Sequence, residues 1–357
     1  MEALATAAPA LLAALLFGAS TPFAKALLGQ TAPLMLAALL YLGSGLGLAV
    51  VLLLRRARGA AALEASLRRA DLPRLAAVVL LGGALGPALL MFGLARVPAA
   101  TASLLLNAEG IATMAIAWIV FRENADRRIL LGALAILAGA AILSWQPGAA
   151  VPLSRGALLI LGACLAWGLD NNLSRSLSAA DPVQISMIKG LAAGATNLLL
   201  ALTQHTPLPD APVVLSAAAI GLLGYGASLV LFMRGLRALG AARTGAYFSL
   251  APFIGATIAV LFFGDPLSGR LILAGLLMGF GLYLHLAERH AHQHTHEEME
   301  HEHAHVHDAH HQHEHGPGDP AGEPHSHAHR HQPLTHAHAH YPDIHHRHRH
   351  RHEPTEG

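Results

Sequence analysis

Ten apolar runs of bilayer length fill the first 287 residues, and they leave little choice of fold. A helix needs about 20 mainly apolar residues to cross a hydrocarbon core. The runs fall at roughly 8–28, 33–54, 73–95, 99–121 and 127–145, then 156–177, 182–203, 212–236, 240–263 and 268–287. Lipid offers no partner for open backbone groups, so segments of this kind must close their hydrogen bonds within a helix. Pro33, Pro98, Pro152, Pro182, Pro212 and Pro266 mark starts or ends of runs. Only 13% of the residues are charged and 54% are hydrophobic, which sets the chain apart from a soluble domain of its length. Met1-Glu2 is not followed by a basic segment, so the first run is expected to stay as a helix and not to be cleaved as a signal. Cys164, the single cysteine, lies within a run and excludes an intramolecular disulfide.

One segment recurs after about 150 residues: Phe17-Gly18-Ala19-Ser20 through Lys25, then Trp167-Gly168-Leu169-Asp170 through Arg175. Each copy opens five runs, and an odd number of crossings starts the second half on the opposite side of the membrane. A shift of about 142 then aligns Ala108-Glu109-Gly110 with Leu250-Ala251-Pro252, Val120-Phe121-Arg122-Glu123 with Phe262-Phe263-Gly264-Asp265, and Gly139 with Gly281. Loop charge agrees with inversion. Arg55, Arg56, Arg58, Arg68, Arg69, Arg74, Arg122, Arg127, Arg128, Arg175, Arg234, Arg237 and Arg243 fall on one side, against Arg96, Arg155 and Arg270 on the other. Arginine-rich loops stay cytoplasmic, so both termini are expected inside a multi-pass protein of the cell (inner) membrane.

The five-plus-five layout and the repeated Trp/Phe-Gly…Lys/Arg segment resemble the drug/metabolite transporter superfamily, specifically its EamA type, over about residues 8–287. Leu250-Ala251-Pro252-Phe253 followed by Leu261-Phe262-Phe263-Gly264-Asp265 is similar to that family's ninth-helix pattern. In the first half Gly110 stands where the family commonly has proline, and Phe121-Arg122-Glu123 replaces its usual glycine-acid turn. The resemblance implies an all-α integral membrane fold with ten transmembrane helices in two inverted five-helix repeats, 1–148 and 149–287. It also implies export or exchange of small polar solutes. No nucleophile–base constellation suggests an enzyme, and the membrane body is expected to need no cofactor.

Ionisable side chains at membrane depth are costly, so each calls for a role or a partner. Glu109, in the fourth run, is a candidate for proton coupling or for contact with a cationic substrate. A structural ion pair with a lysine is the alternative. Lys25 and Lys189 are the only lysines. Lys25 matches Arg175 in the repeat and suits snorkelling to the interface, whereas Lys189 lies deeper and could pair with Glu109. Asp170-Asn171-Asn172 is the most polar stretch in any run; Asp170 stands one turn from Ser174, and Asn171 one turn from Arg175. Asn107, two residues before Glu109, stands about 200° from it around a helix, so the two need not line one surface; Asn197 and Tyr247 are better suited to interhelical hydrogen bonds. Gly110 and Pro252 occupy equivalent depths and are candidate helix breaks. The spacings Gly43/Gly47, Gly82/Gly86, Gly190/Gly194 and Gly275/Gly279 suit close helix packing and are assigned no substrate role.

The last seventy residues, 288–357, hold 24 of the 26 histidines and twelve acids against five arginines. His290, His292, His294, His296, His301, His303, His305 and His307 alternate with other residues, as do His325, His327, His329, His331, His336, His338 and His340. Neutral imidazoles at this density are expected to bind transition-metal ions such as Zn, Ni, Co or Cu. Protonation near pH 6.5 would reverse the tail's negative sign. Few apolar residues and Gly316-Pro317-Gly318-Asp319-Pro320 predict disorder. His301-Glu302-His303-Ala304-His305 matches H-E-x-x-H, but a zinc protease needs that motif on a scaffolded helix beside a cleft.

The expected function is secondary-active transport by alternating access, most plausibly export of a small polar metabolite, with the tail as a metal-binding accessory. The competing readings are a divalent-metal exporter fed or regulated by the tail, and a membrane-anchored metal store or sensor. The expected partners are the lipid bilayer, a small-molecule or metal-ion substrate and a second copy in a homodimer, with no nucleic acid.

Overall fold

The computed structural model describes residues 2–57, 71–121, 127–146, 153–174, 181–286, 291–296, 299–305, 325–331 and 334–339. Arg58, Arg68, Arg69, Arg122, Glu123, Arg175, His290, His307 and His340 lie outside the described residues. Ten helices are long and apolar enough to cross a membrane. They are α1 (Thr6–Leu27), α2 (Pro33–Ala57), α3 (Leu72–Leu94), α4 (Ala99–Val120), α5 (Arg127–Ser144), α6 (Arg155–Ser174), α7 (Val183–Thr203), α8 (Ala211–Leu236), α9 (Arg243–Phe263) and α10 (Gly269–Leu286). Their outward faces are apolar: Phe262 is 78% and Ile119 is 74% exposed, which suits hydrocarbon and not water.

The two halves form one compact unit, Met1–Ala60 with Leu67–Leu286, because the repeats interlock. Helix α1 packs on α8 and α9 of the other half, and α6 packs in the same way on α3 and α4. Helix α2 packs on α7 and α8, α7 also on α3, and α5 on α10. The repeated glycine of the sequence motif makes the first of these approaches possible. A Cβ on Gly18 would collide with the Ala251 carbonyl of α9, and one on Gly168 would stand 2.9 Å from the Thr113 amide nitrogen of α4. Apolar side chains gain little over lipid by packing on one another, so such backbone proximity is what holds helices together in a membrane.

Helices α4 and α9 are broken at matching places. Helix α4 consists of Ala99–Leu105 and Ala108–Phe121, and α9 resumes at Ala251–Phe263 after a turn at Ser249 and Leu250. At each turn an amide reaches back only three residues, Asn107 to Leu104 and Leu250 to Tyr247. The breaks therefore precede Gly110 and Pro252, the positions expected from the sequence. Pro252 falls in the first turn of the resumed helix, where its missing N–H is not needed. Gly110 lies three residues beyond its break, exposed and inside regular helix, and does not form it.

Helices α3 and α8 carry a second matched irregularity, absent from the sequence expectations. Val79–Leu85 and Leu222–Ala227 are π-helical. Leu80-Leu81-Gly82 and Leu222-Leu223-Gly224 are related by the same shift of about 142 that aligns the repeats. The widened turn frees carbonyls that side chains then take up. The α8–α9 connection also differs from an open loop. Backbone helix is assigned throughout Ser228–Phe248, yet a Cβ on Gly235 would stand 3.0 Å from Thr244 Cγ2, so the chain reverses within a tight helical turn.

The tail is described only in four short strands, β1 (Ala291–His296), β2 (Met299–His305), β3 (His325–His331) and β4 (Leu334–Ala339). These segments are extended and paired antiparallel, β1 with β4 and β2 with β3. The alternation of histidine with a second residue has the two-residue period of a strand. The register sets His294 against His336 and His303 against His327.

Candidate functional site

The polar groups at membrane depth gather where α3, α4, α6 and α7 meet. Asp170, buried in the last turns of α6, forms an ion pair with Lys189 of α7 and is 3.4 Å from Ser174 Oγ. The expected Glu109–Lys189 pair is not formed; Lys189 goes to Asp170 because α6 delivers that carboxylate next to α7. Gly82 makes room for it, since any Cβ there would collide with the Asp170 carboxylate. Gly82, which the sequence offered only as a packing residue, therefore belongs to the site.

The π-helical turn of α3 is tied in by side chains. The Gly82 carbonyl accepts from Trp167 Nε1 at 2.9 Å and from the Tyr41 hydroxyl at 3.2 Å. Ala84, two residues on, accepts from the fully buried Asn197 amide at 3.2 Å. Helix α8 mirrors part of this scheme with different chemistry. A Cβ on Gly224 would stand 2.6 Å from Ser20 Cβ, and Tyr225 packs edge-on against Phe17 at 6.1 Å and at a tilt against Tyr41 at 5.6 Å. The repeat thus places the aromatic of its opening segment, Phe17 or Trp167, beside a π-helical turn in both halves.

Glu109 stands in the first turn of the second piece of α4, and not in mid-helix as its run implied. A carboxylate there is favoured by the positive end of the helix dipole. Asn171 donates to Glu109 Oε1 at 3.0 Å and to Thr113 Oγ1 at 3.1 Å, and Thr113 Oγ1 donates to the Glu109 carbonyl at 3.0 Å. Asn171 is thereby committed to α4. Its neighbour Asn172 donates to the Thr113 and Gly168 carbonyls while its own Oδ1 is buried without a partner. Glu109 is half-buried.

The other candidates are dispersed. Asn107 Nδ2 donates to Leu104 O at 2.9 Å and approaches Met278 Sδ at 3.9 Å, so it secures the α4 break. Lys25 donates to the Leu94 carbonyl at 2.6 Å, capping the end of α3. Tyr247 is half-buried in the last turn before the α9 break. Asp265, just beyond α9, accepts from the Ala100 amide at 2.7 Å and so caps the start of α4. His285 is held to the Ile129 carbonyl at 2.9 Å and serves to join α10 to α5. Among the described residues no group of three or more His, Cys, Asp or Glu side chains is placed to hold a metal ion. Sequence reasoning missed Tyr41, Gly82, Thr113 and Tyr225. The alignment of Gly82 with Gly224 was the one available signal.

Residues 6–145 and 154–287 match the EamA-like transporter family, one match for each repeat. The chain belongs to that family. An uncharacterized transporter of Methanothermobacter thermautotrophicus is 27% identical over 288 residues, covering 76% of this chain and 83% of its own length. A protein described as a probable amino-acid metabolite efflux pump of Salmonella typhimurium is 28% identical over 206 residues, 53% of this chain and 68% of the pump. A solved crystal structure superposes with a TM-score of 0.57 at 20% identity, over 78% of this chain and 95% of that one, a likeness of fold. Membership in the EamA-like family makes the chain a multi-pass membrane transporter.

Proposed function

We propose that this EamA-like protein is a secondary-active exporter of a small polar metabolite of the amino-acid type, working by alternating access with both termini in the cytoplasm. One observation carries the proposal: both inverted halves have a π-helical turn and a broken helix at matching positions, and the charged residues collect at one of these two sites. Irregular backbone at membrane depth is tolerated where it lines a path or absorbs a rearrangement. Glu109, steadied by Asn171 on one oxygen and partly exposed, would receive an ammonium group or a coupling proton. Asp170 and Lys189 would hold α6 and α7 against the π turn of α3, and their separation would accompany the change of access. The Salmonella typhimurium relative supports the substrate class.

The test uses everted membrane vesicles under an imposed pH gradient, with uptake of a panel of radiolabelled amino acids. Uptake of at least one above vesicles lacking the protein, reduced about tenfold or more in Glu109→Gln, is expected. Uptake of none, with the variant indistinguishable, overturns the reading. If the variant loses gradient-driven uptake but keeps exchange of labelled for unlabelled substrate, Glu109 carries the proton and not the solute.

A second reading is favoured by the tail, where the strand register sets histidine against histidine: export of Ni, Co or Zn ions, with the tail collecting them. Cellular metal content separates the two readings in the full chain, a chain ending at Ala287 and Glu109→Gln. Metal efflux that survives truncation but not Glu109→Gln would place ion transport in the membrane body. Unchanged metal content in all three removes the metal exporter.

A further inference from the structure

Arg96, Arg155 and Arg270 are the only arginines assigned to the membrane face opposite the arginine-rich loops. Two of them begin helices, where a cation opposes the helix dipole. Arg270, at the start of α10, is compensated: its guanidinium donates to the Ile142 and Trp145 carbonyls at the end of α5. Arg155, at the start of α6, is exposed and has no hydrogen-bonded partner among the described residues. Arg96, beyond the end of α3, folds back to donate to the Phe92 carbonyl, which occupies one of its five N–H groups.

Arg96 and Arg155 flank the same groove, about 410 Å³ in volume, lined otherwise by Leu89, Leu158, Leu159 and Gly162. Among the described residues no acidic side chain lines it. Gly162 keeps its floor low; a Cβ there would meet only Leu89 Cδ1, at 3.4 Å. The groove therefore has two cations at its membrane-surface end and an apolar channel running from them along α3 and α6. Leu158 is exposed on the wall of that channel, toward the surface the protein gives to lipid.

We infer that this groove binds one anionic phospholipid. Its phosphodiester sits between the guanidiniums of Arg96 and Arg155, and the upper part of an acyl chain lies along Leu89, Leu158 and Leu159 over Gly162. Guanidinium suits phosphate because it offers paired N–H donors and is weakly hydrated. The start of α6 adds the positive end of its dipole to the same spot. A soluble anion would be satisfied by the two arginines alone and would make no use of the apolar wall. The inference is independent of what the central site transports.

Native mass spectrometry of the purified full-length protein, titrated with phosphatidylglycerol or with phosphatidylcholine of the same chain length, tests it. We expect retention of one phosphatidylglycerol about tenfold more strongly than phosphatidylcholine, a preference that Arg155→Gln reduces about tenfold and Arg155→Lys largely preserves. Gly162→Leu, which leaves both arginines in place, should weaken the same adduct by filling the channel. Equal retention of the two lipids, or phosphatidylglycerol binding unchanged in Arg155→Gln and Arg96→Gln, overturns the inference. So does displacement by glycerol 3-phosphate combined with indifference to Gly162→Leu, which would make the groove a soluble-anion site. Should Arg155→Gln fail to fold, the lysine and Gly162 variants decide the matter.

Discussion

Glu109 and Asp170 are both carboxylates at membrane depth, and their partners give them opposite sensitivities. Asp170 is buried and paired with Lys189, so removing one member leaves the other charge uncompensated. Asp170→Asn or Lys189→Gln should each lower stability by about 3 kcal/mol, and the double variant should lose less than the sum of the two. Thermal unfolding in detergent measures this as a double-mutant cycle; additive losses would show that the pair is not coupled. Glu109 is half-buried and held by a neutral amide with which glutamine can also bond, so Glu109→Gln should leave the melting temperature nearly unchanged while transport falls. These residues are legible in the sequence as a group, but their pairing is not. Which cation meets which carboxylate depends on α6 and α7 both packing on α3, and that follows from packing between the halves.

The irregular elements were only partly legible. Matched breaks in α4 and α9 follow from the repeat alignment, but their exact place depends on the Asn107 side chain and on Pro252 as a helix starter, three residues from where propensity alone points. The π turns leave no mark in composition, because Gly82 and Gly224 read equally well as packing residues. Two glycine substitutions separate a working glycine from a tolerated one. Gly110→Ala, with no atom within 4 Å of the new methyl, should stabilise α4 by about 0.5–1 kcal/mol. Gly82→Ala must displace the Asp170 carboxylate, and should reduce both stability and transport. Equal tolerance of the two substitutions would mean that the α3 turn yields easily and does not fix the ion pair.

Composition divides the apolar ten-helix body from the histidine-rich tail. A chain ending at Ala287 should therefore keep the melting temperature of the full chain and lose high-capacity Zn or Ni binding, as measured by calorimetry. Metal held by the full chain should be released as pH falls through about 6.5, because protonated imidazole has no lone pair to offer. Metal binding that survives truncation would point to the membrane body. Inversion was the most legible property at this scale, since an odd helix count and asymmetric arginines are both visible in the sequence. The interlocking of the halves was not, because apolar helix faces rich in alanine and leucine specify close contact without naming the partner.

The mirrored π turns carry one consequence for energetics. In a protein whose two halves were chemically identical, the inward-open and outward-open forms would be degenerate, each produced from the other by exchanging the roles of the repeats. Here Gly82 faces a carboxylate and Gly224 faces Ser20, a hydroxyl. Under the proposed alternating access, the Asp170–Lys189 pair beside the α3 turn, with no counterpart at the α8 turn among the described residues, would lift that degeneracy and give the empty protein a resting orientation. On that reading the duplicated scaffold would supply two states, and the unduplicated Asp170–Lys189 pair would decide which of them is occupied at rest.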